Sequence, residues 1–283
     1  SVIYMNPQTA TIDTTTLIQG FQITNGGNSE WENGGGLLIK NSGIKITNCL
    51  ISNNTANLYG GGVYLENSLS TFRNSRIFAN HATISNFQQG GAGLFAKTST
   101  VLMEMVIVEN NISFGPEGNA GGIYSFESNM DFKNVNIVNN QADEYGGGIV
   151  LYNGTHTFTD VNIINNIGGN GGGIAFDGGS LENKNLLIKN NHAIYKGGGL
   201  WMRNVDLDYD WIDIISNSTS DQSQAGSAIY TESPFNLSKI RLINNYNPNN
   251  NGTIGYYNYG GNTFTFDSLI IANNIGGLFN PAN

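Results

Sequence analysis

Residues 143–153 read DEYGGGIVLYN: two acids, a tyrosine, three glycines and an alternating apolar stretch. A glycine-rich turn that feeds a strand bares backbone N–H groups, so a phosphate cradle is the first reading to test. Such a loop also requires a lysine and a following helix, and neither is present. The motif instead recurs, as GGGLLI at 34, GGGVYL at 60, GAGLFA at 91, AGGIYS at 120, GGGIAF at 171 and GGGLWM at 197. Weaker copies follow as GSAIYT at 226, GTIGYY at 252 and IGGLFN at 275. A motif found in nearly every unit marks a corner of a repeat, where the chain needs positive φ or close backbone approach.

Two landmarks frame the repeat. The aliphatic residue after the glycines falls at Leu37, Val63, Leu94, Ile123, Ile149, Ile174, Leu200, Ile229, Ile254 and Leu278, at intervals of 24 to 31 residues. An asparagine closes each unit, at Asn54, Asn80, Asn110, Asn140, Asn166, Asn191, Asn217, Asn245 and Asn273. From aliphatic to asparagine the distance is 17 in six units, 16 in two and 19 in the last, so length variation is confined to the segment leading into the glycines. The constant part alternates, with Ile149, Leu151 and Phe132 inward and Val150, Tyr152, Asp131 and Lys133 outward, and reads as two short strands. Strand pairs repeated every 26 residues or so, with no helical periodicity, predict an all-β fold: a parallel β-helix, or solenoid, of about ten coils and roughly 45–50 Å.

Composition agrees with stacking. Only 12% of residues are charged, about half the usual share. Equivalent residues in adjacent coils lie about 4.8 Å apart, where like charges repel. The column two residues after the inward aliphatic alternates in sign, as Lys40, Glu66, Lys97 and then Asp177, Arg203, Glu232. The asparagines predict a ladder in which each side-chain amide bonds the next coil.

Other classes are disfavoured. A net charge of -9 repels nucleic acid and anionic lipid. No apolar run approaches the roughly 20 residues of a membrane span, and no basic, then apolar, leader opens the chain. Cys49, the only cysteine, lies in the apolar run ITNCLIS and reads as a small buried hydrophobe. No metal-ligand spacing such as HExxH or CxxC exists.

Units such as NNTANLYGGGVYLENSLSTFRNSRIFANHA (53–82) and NNQADEYGGGIVLYNGTHTFTDVNIINNIG (139–168) resemble the repeats of polymorphic outer-membrane proteins and related right-handed parallel β-helix surface proteins. Those repeats pair a Gly-Gly-aliphatic motif with a Phe-and-Asn motif, carried here by TFRN (71–74) and DFKN (131–134). The resemblance implies a right-handed coil, export across a Gram-negative envelope and an adhesive or surface-layer role. The same coil carries polysaccharide lyases and hydrolases. Unlike the autotransporter version, the chain has no alternating, aromatic-girdled C-terminal barrel. The stretch TLIQGFQITNG (16–26) looks like a first strand of the same kind, and both ends fit excision of one β-helix domain, residues 1–283, from a longer chain.

The column next to the inward aliphatic reads Leu38, Tyr64, Phe95, Tyr124, Val150, Ala175, Trp201, Tyr230. Read as outward, its aromatics Tyr64, Phe95, Tyr124, Trp201 and Tyr230 offer a stripe for sugar rings or a protein partner; alternatively they pack under a neighbouring loop. Trp201 and Tyr230 stand out because Arg203 and Glu232 follow two residues on. NVDLDYDWIDI (204–214) sets Asp206, Asp208 and Asp210 on one face beside Lys184: a solvated acidic patch, a calcium site or an acid–base pair for glycoside cleavage. A lyase needs clustered cations, yet Arg73, Lys133, Lys184 and Arg241 are scattered. His81, His156 and His192 have no partner carboxylate in sequence and read as turn or core residues. The loops at 81–93 and 111–122, with Phe87 and Phe114, are where recognition or an ordinary excursion would be built.

These observations favour a secreted or cell-surface rod acting as adhesin or structural segment, without catalytic residues or a required cofactor beyond, at most, calcium. Its expected partners are an extracellular glycan, a surface protein or further copies of itself. A β-helix lyase or glycoside hydrolase using the Asp206, Asp208, Asp210 face is the alternative.

Overall fold

In the computed structural model, residues 1–7, 15–27, 33–83, 89–116, 118–220, 226–233, 236–249, 252–257, 265–277 and 279–282 are described. Every strand pairing among them is parallel, and each coil lies directly over its neighbour, as in Leu37↔Val63, Leu94↔Ile123, Ile149↔Ile174 and Leu200↔Ile229. The last copy of this column is Phe279, facing Ile254. Among the described residues no helix is long and apolar enough to cross a membrane.

The coil has more corners than the sequence pattern predicts. A glycine strand (Val63–Glu66) leads to a middle strand (Leu69–Arg73), then an asparagine strand (Arg76–Phe78) and a short fourth strand (His81–Thr83). The bends between the first three are single residues in the left-handed region, Asn67 and Asn74, with φ of 50° and 46°. Such a bend shifts the buried positions by a single residue, as from Phe132 to Val135, a break too short to part the strands in sequence, so three strands read as two. Asparagine suits these positions because its short polar side chain tolerates left-handed φ. Later the strands run on through the same left-handed bends, as in Thr155–Ile164, with Asp160 at 54°, and Ile174–Lys189, with Asn185 at 61°.

Inside, Ile149, Leu151, Phe158, Val161 and Ile163 of one coil stack on their counterparts in the next, fully buried. Phe132 and Phe158 stack at 4.8 Å and 7°. Cys49 is also fully buried. His156 occupies the same interior, edge-on to Phe176 at 5.6 Å, with no hydrogen bond to either ring nitrogen.

The glycines divide their labour. The first of each triplet carries positive φ, 64° at Gly60 and 59° at Gly146, which an L side chain resists. The other two are needed for contact: a Cβ on Gly147 would lie 2.4 Å from the Ile167 backbone, and one on Gly148 2.7 Å from the Gly173 carbonyl oxygen.

The ladder runs through Asn54, Asn80, Asn111, Asn140, Asn166, Asn191, Asn217, Asn245 and Asn274. Two expected rungs are therefore corrected: Asn110 and Asn273 are the bend residues, both with φ of 53°, and the asparagine that follows each enters the ladder. From Asn54 to Asn245 each Nδ2 donates both to the next rung and to a carbonyl of the preceding coil. That of Asn140 bonds Asn166 Oδ1 at 3.1 Å and the Val108 carbonyl at 3.0 Å, while the Asn140 backbone N–H donates to the same Asn166 oxygen at 2.9 Å. A buried amide thus uses both donors and both acceptor sites.

Candidate binding groove

The side chains beside the inward aliphatics point away from the core, yet they are not on the surface. Tyr64, Phe95, Tyr124, Trp201 and Tyr230 are 0–9% exposed, so the expected outward stripe is corrected to a second, buried cluster with Leu38, Val150 and Ala175. The glycine corner causes this. By turning within one residue it folds the preceding residue, such as Tyr59 or Tyr145, back over the glycine strand. The Tyr59 ring meets Phe95 at 4.3 Å, and Tyr145 meets Trp201 at 5.3 Å.

The result is a groove along the axis. Its floor is the buried column, one wall is the residue before each glycine triplet, and the other is the column that begins with Lys40. Where the floor shrinks to Val150 and Ala175 it dips into a cavity of about 440 Å³, lined by Tyr124, Phe126, Tyr145, Tyr152, Asp177, Trp201 and Arg203 among others. A smaller hollow of about 190 Å³, lined by Asn33, Tyr59, Tyr64, Phe95 and Lys97, shares Tyr124 and Phe126 with it and continues the groove. Phe126 and Tyr152 lie face to face at 4.9 Å and 6°. Both are partly buried, and both stand in the wall between the charged Lys97 and Asp177.

Charges in that wall are matched. Glu66 lies 2.8 Å from Lys40 and 3.5 Å from Lys97. Burial pushes its pKa up, but the hydrogen bonds and charges of Lys40, Tyr64 and Lys97 outweigh that and hold it below the ordinary value. Arg203 donates from Nε to Asp177 at 2.9 Å and lies 3.7 Å from Glu232. Its pKa is raised first by the Asp177 hydrogen bond, which burial opposes. Burial is the main cause that raises the phenols of Tyr64, Tyr124 and Tyr145, so all three stay protonated donors near neutral pH.

Other sequence candidates separate. Lys196 sits 4.4 Å over the Tyr230 ring and donates to its hydroxyl at 3.1 Å, so Tyr230 is capped. Asp210 approaches Lys239 at 3.5 Å rather than pairing with Lys184. The backbone sets Asp206 on Ser180 and Asp208 on Glu182, while the side chains of Asp206 and Asp208 lie outside the described residues, as does Phe87. Phe114 is exposed. Arg73 and Lys133 pair with Glu104 and Asp131 at 2.7 and 2.9 Å, and Arg241 pairs with Asp213. His192 is held between Ser218 Oγ at 2.9 Å and Ser220 Oγ at 2.8 Å, and burial lowers its pKa. Among the described residues no group of three or more His, Cys, Asp or Glu is placed to hold a metal.

Tyr59, Phe126, Tyr145 and Tyr152 are the groove residues that sequence reasoning passes over. A signal existed: tyrosine directly precedes the glycines in YGGG at 59 and 145, and Phe126 and Tyr152 fill the gap between the two charged runs of their column.

A family model for the right-handed β-helix region matches residues 3–204. No curated protein and no solved structure gives a match.

Proposed function

Because this chain belongs to the right-handed β-helix family, we propose that it works as a non-enzymatic rod of the cell surface or extracellular space, an adhesin or structural segment that holds a neutral glycan in its aromatic groove. Domains of this family occur in adhesins and in pectin-lyase-like enzymes, so the site has to carry the choice. The observation that carries it is the 440 Å³ cavity walled by Phe126, Tyr145 and Tyr152 and floored by Tyr124 and Trp201. Aromatic faces stack on the apolar faces of sugar rings, while neighbouring polar groups orient hydroxyls. Protonated Tyr124 and Tyr145, Asn119 and Asp177 supply those groups.

Charge matching favours a neutral ligand. Arg203 already serves Asp177 and Glu232, so a polyuronate would have to displace a carboxylate to reach it. The same pairing weighs against a lyase, which needs cations free to neutralise an acidic substrate.

The test is retention on an immobilised panel of neutral and acidic glycans with calcium present, read by mass spectrometry for bound protein and for shortened glycan. Tyr145→Ala and Tyr152→Ala should each weaken retention of a neutral glycan at least about ten-fold, equivalent to about 1.4 kcal/mol. Retention that both variants leave unchanged would remove the groove from the binding surface. Shortened glycan would replace the rod with an enzyme.

A further inference from the structure

A third hollow lies at a different corner, the bend between the middle and asparagine strands. Its volume is about 310 Å³. Asn134, Asp160 and Asn185 occupy that bend in three successive coils, all with left-handed φ of 54° to 61°. Asn136 and Asn162 follow two residues later on the asparagine strand. Register sets Trp211 next above Asn185, since Leu186 pairs with Ile212. Trp211 lacks the positive φ of the column, and the residue is 37% exposed at the end of the hollow.

The polar groups here are ordered in advance. Asn185 Nδ2 donates to Asp160 Oδ1 at 2.7 Å, and Asn162 Nδ2 donates to Asn136 Oδ1 at 2.9 Å. Arg241 donates to both carboxylate oxygens of Asp213 and lies 5.9 Å from the centroid of the Trp211 ring. The one cation of the hollow is thereby neutralised and packed on the indole. What remains is an amide-rich wall with spare donors and acceptors, one indole and no uncompensated positive charge. The Asp160 carboxylate, bonded by the Asn185 amide, repels an anion, and a purely apolar ligand would strand the amides.

We propose that this hollow is a separate binding site for a single neutral sugar ring, stacked on Trp211 with its hydroxyls bonded by Asn134, Asn162 and Asp160. A cavity at the lower end of the size range for small-molecule sites takes one ring rather than a chain. The site is independent of the aromatic groove, because it shares no lining residue with it.

The experiment is saturation-transfer difference NMR and Trp fluorescence titration with methyl α-D-glucopyranoside, methyl β-D-galactopyranoside and N-acetyl-D-glucosamine, each used as the probe itself. At least one should bind with a Kd of about 1 mM, the range that ligand efficiency allows a molecule of this size. Trp211→Ala and Asn134→Ala should each weaken it at least about ten-fold, while Tyr145→Ala leaves it unchanged. Asn134 sits on an exposed bend, so its variant tests the site even if Trp211→Ala perturbs the coil, which circular dichroism melting reports. No binding of any probe at about 20 mM, or binding that Asn134→Ala and Trp211→Ala do not weaken, overturns the proposal. Loss of this binding in Tyr145→Ala would assign the sugar to the groove and likewise overturn it.

Discussion

Removing one rung of the asparagine ladder disturbs more groups than it deletes. In Asn140→Ala, the Asn111 backbone N–H and Nδ2 lose their shared acceptor, and the Val108 carbonyl and Asn166 Oδ1 lose a donor. Each buried polar group left unpaired costs about 1–3 kcal/mol, so the variant should lose about 3–5 kcal/mol in denaturant unfolding. A loss below about 1 kcal/mol would mean that water replaces the rung. His156 makes a second residue-scale case. Burial lowers its pKa to about 4, with the nearby Asn153 backbone acting in the opposite direction. Its folded pKa lies below its unfolded one, so below pH 6.5 the unfolded chain takes up a proton that the native chain refuses. Stability therefore falls as pH drops from 6.5 towards 4, by roughly 3 kcal/mol for this group, then levels off. His156→Leu, matching Leu181 in the next coil, should flatten that decline in unfolding curves at pH 7 and 4.5. An unchanged pH slope would assign acid sensitivity to other groups.

At the scale of elements, the glycine corner couples fold to site. Gly148→Ala places a methyl 2.7 Å from the Gly173 oxygen and 3.1 Å from the Asn166 side chain, so the coils must part. The variant should be destabilised by more than about 3 kcal/mol, as expected for overpacking against backbone. A near-wild-type midpoint would show that the corner yields. This corner also explains what was legible in sequence. The repeat, the parallel stacking and the alternating charges of Lys40, Glu66 and Lys97 depend on spacing alone, which a sequence displays directly. Whether Tyr64 or Trp201 meets solvent depends on where Tyr59 and Tyr145 return after a one-residue turn, and alternation carries no information on that. The register slip at Asn110 has a similar origin: two adjacent asparagines suit a left-handed bend and a buried rung equally by type, and only the backbone assigns which is which.

Across the whole molecule, stacked coils make stability a sum of local terms and neighbour interfaces. The ladder should then report global unfolding. Backbone amides of Asn80, Asn111, Asn140 and Asn166, each bonded to the next rung, should be among the slowest to exchange in native-state hydrogen exchange. Exchange faster than that of the flanking strands would place the weak point of the rod at the ladder itself. The ladder has a further property. From Asn54 to Asn274 every rung-to-rung bond runs the same way, from the Nδ2 of one coil to the Oδ1 of the next. Amide dipoles of about 3.5 D aligned in this way add instead of cancelling, to as much as about 30 D over the nine rungs. The ladder is therefore electrically polar along its length, a built-in difference between its two ends that the strands, whose dipoles alternate, do not supply.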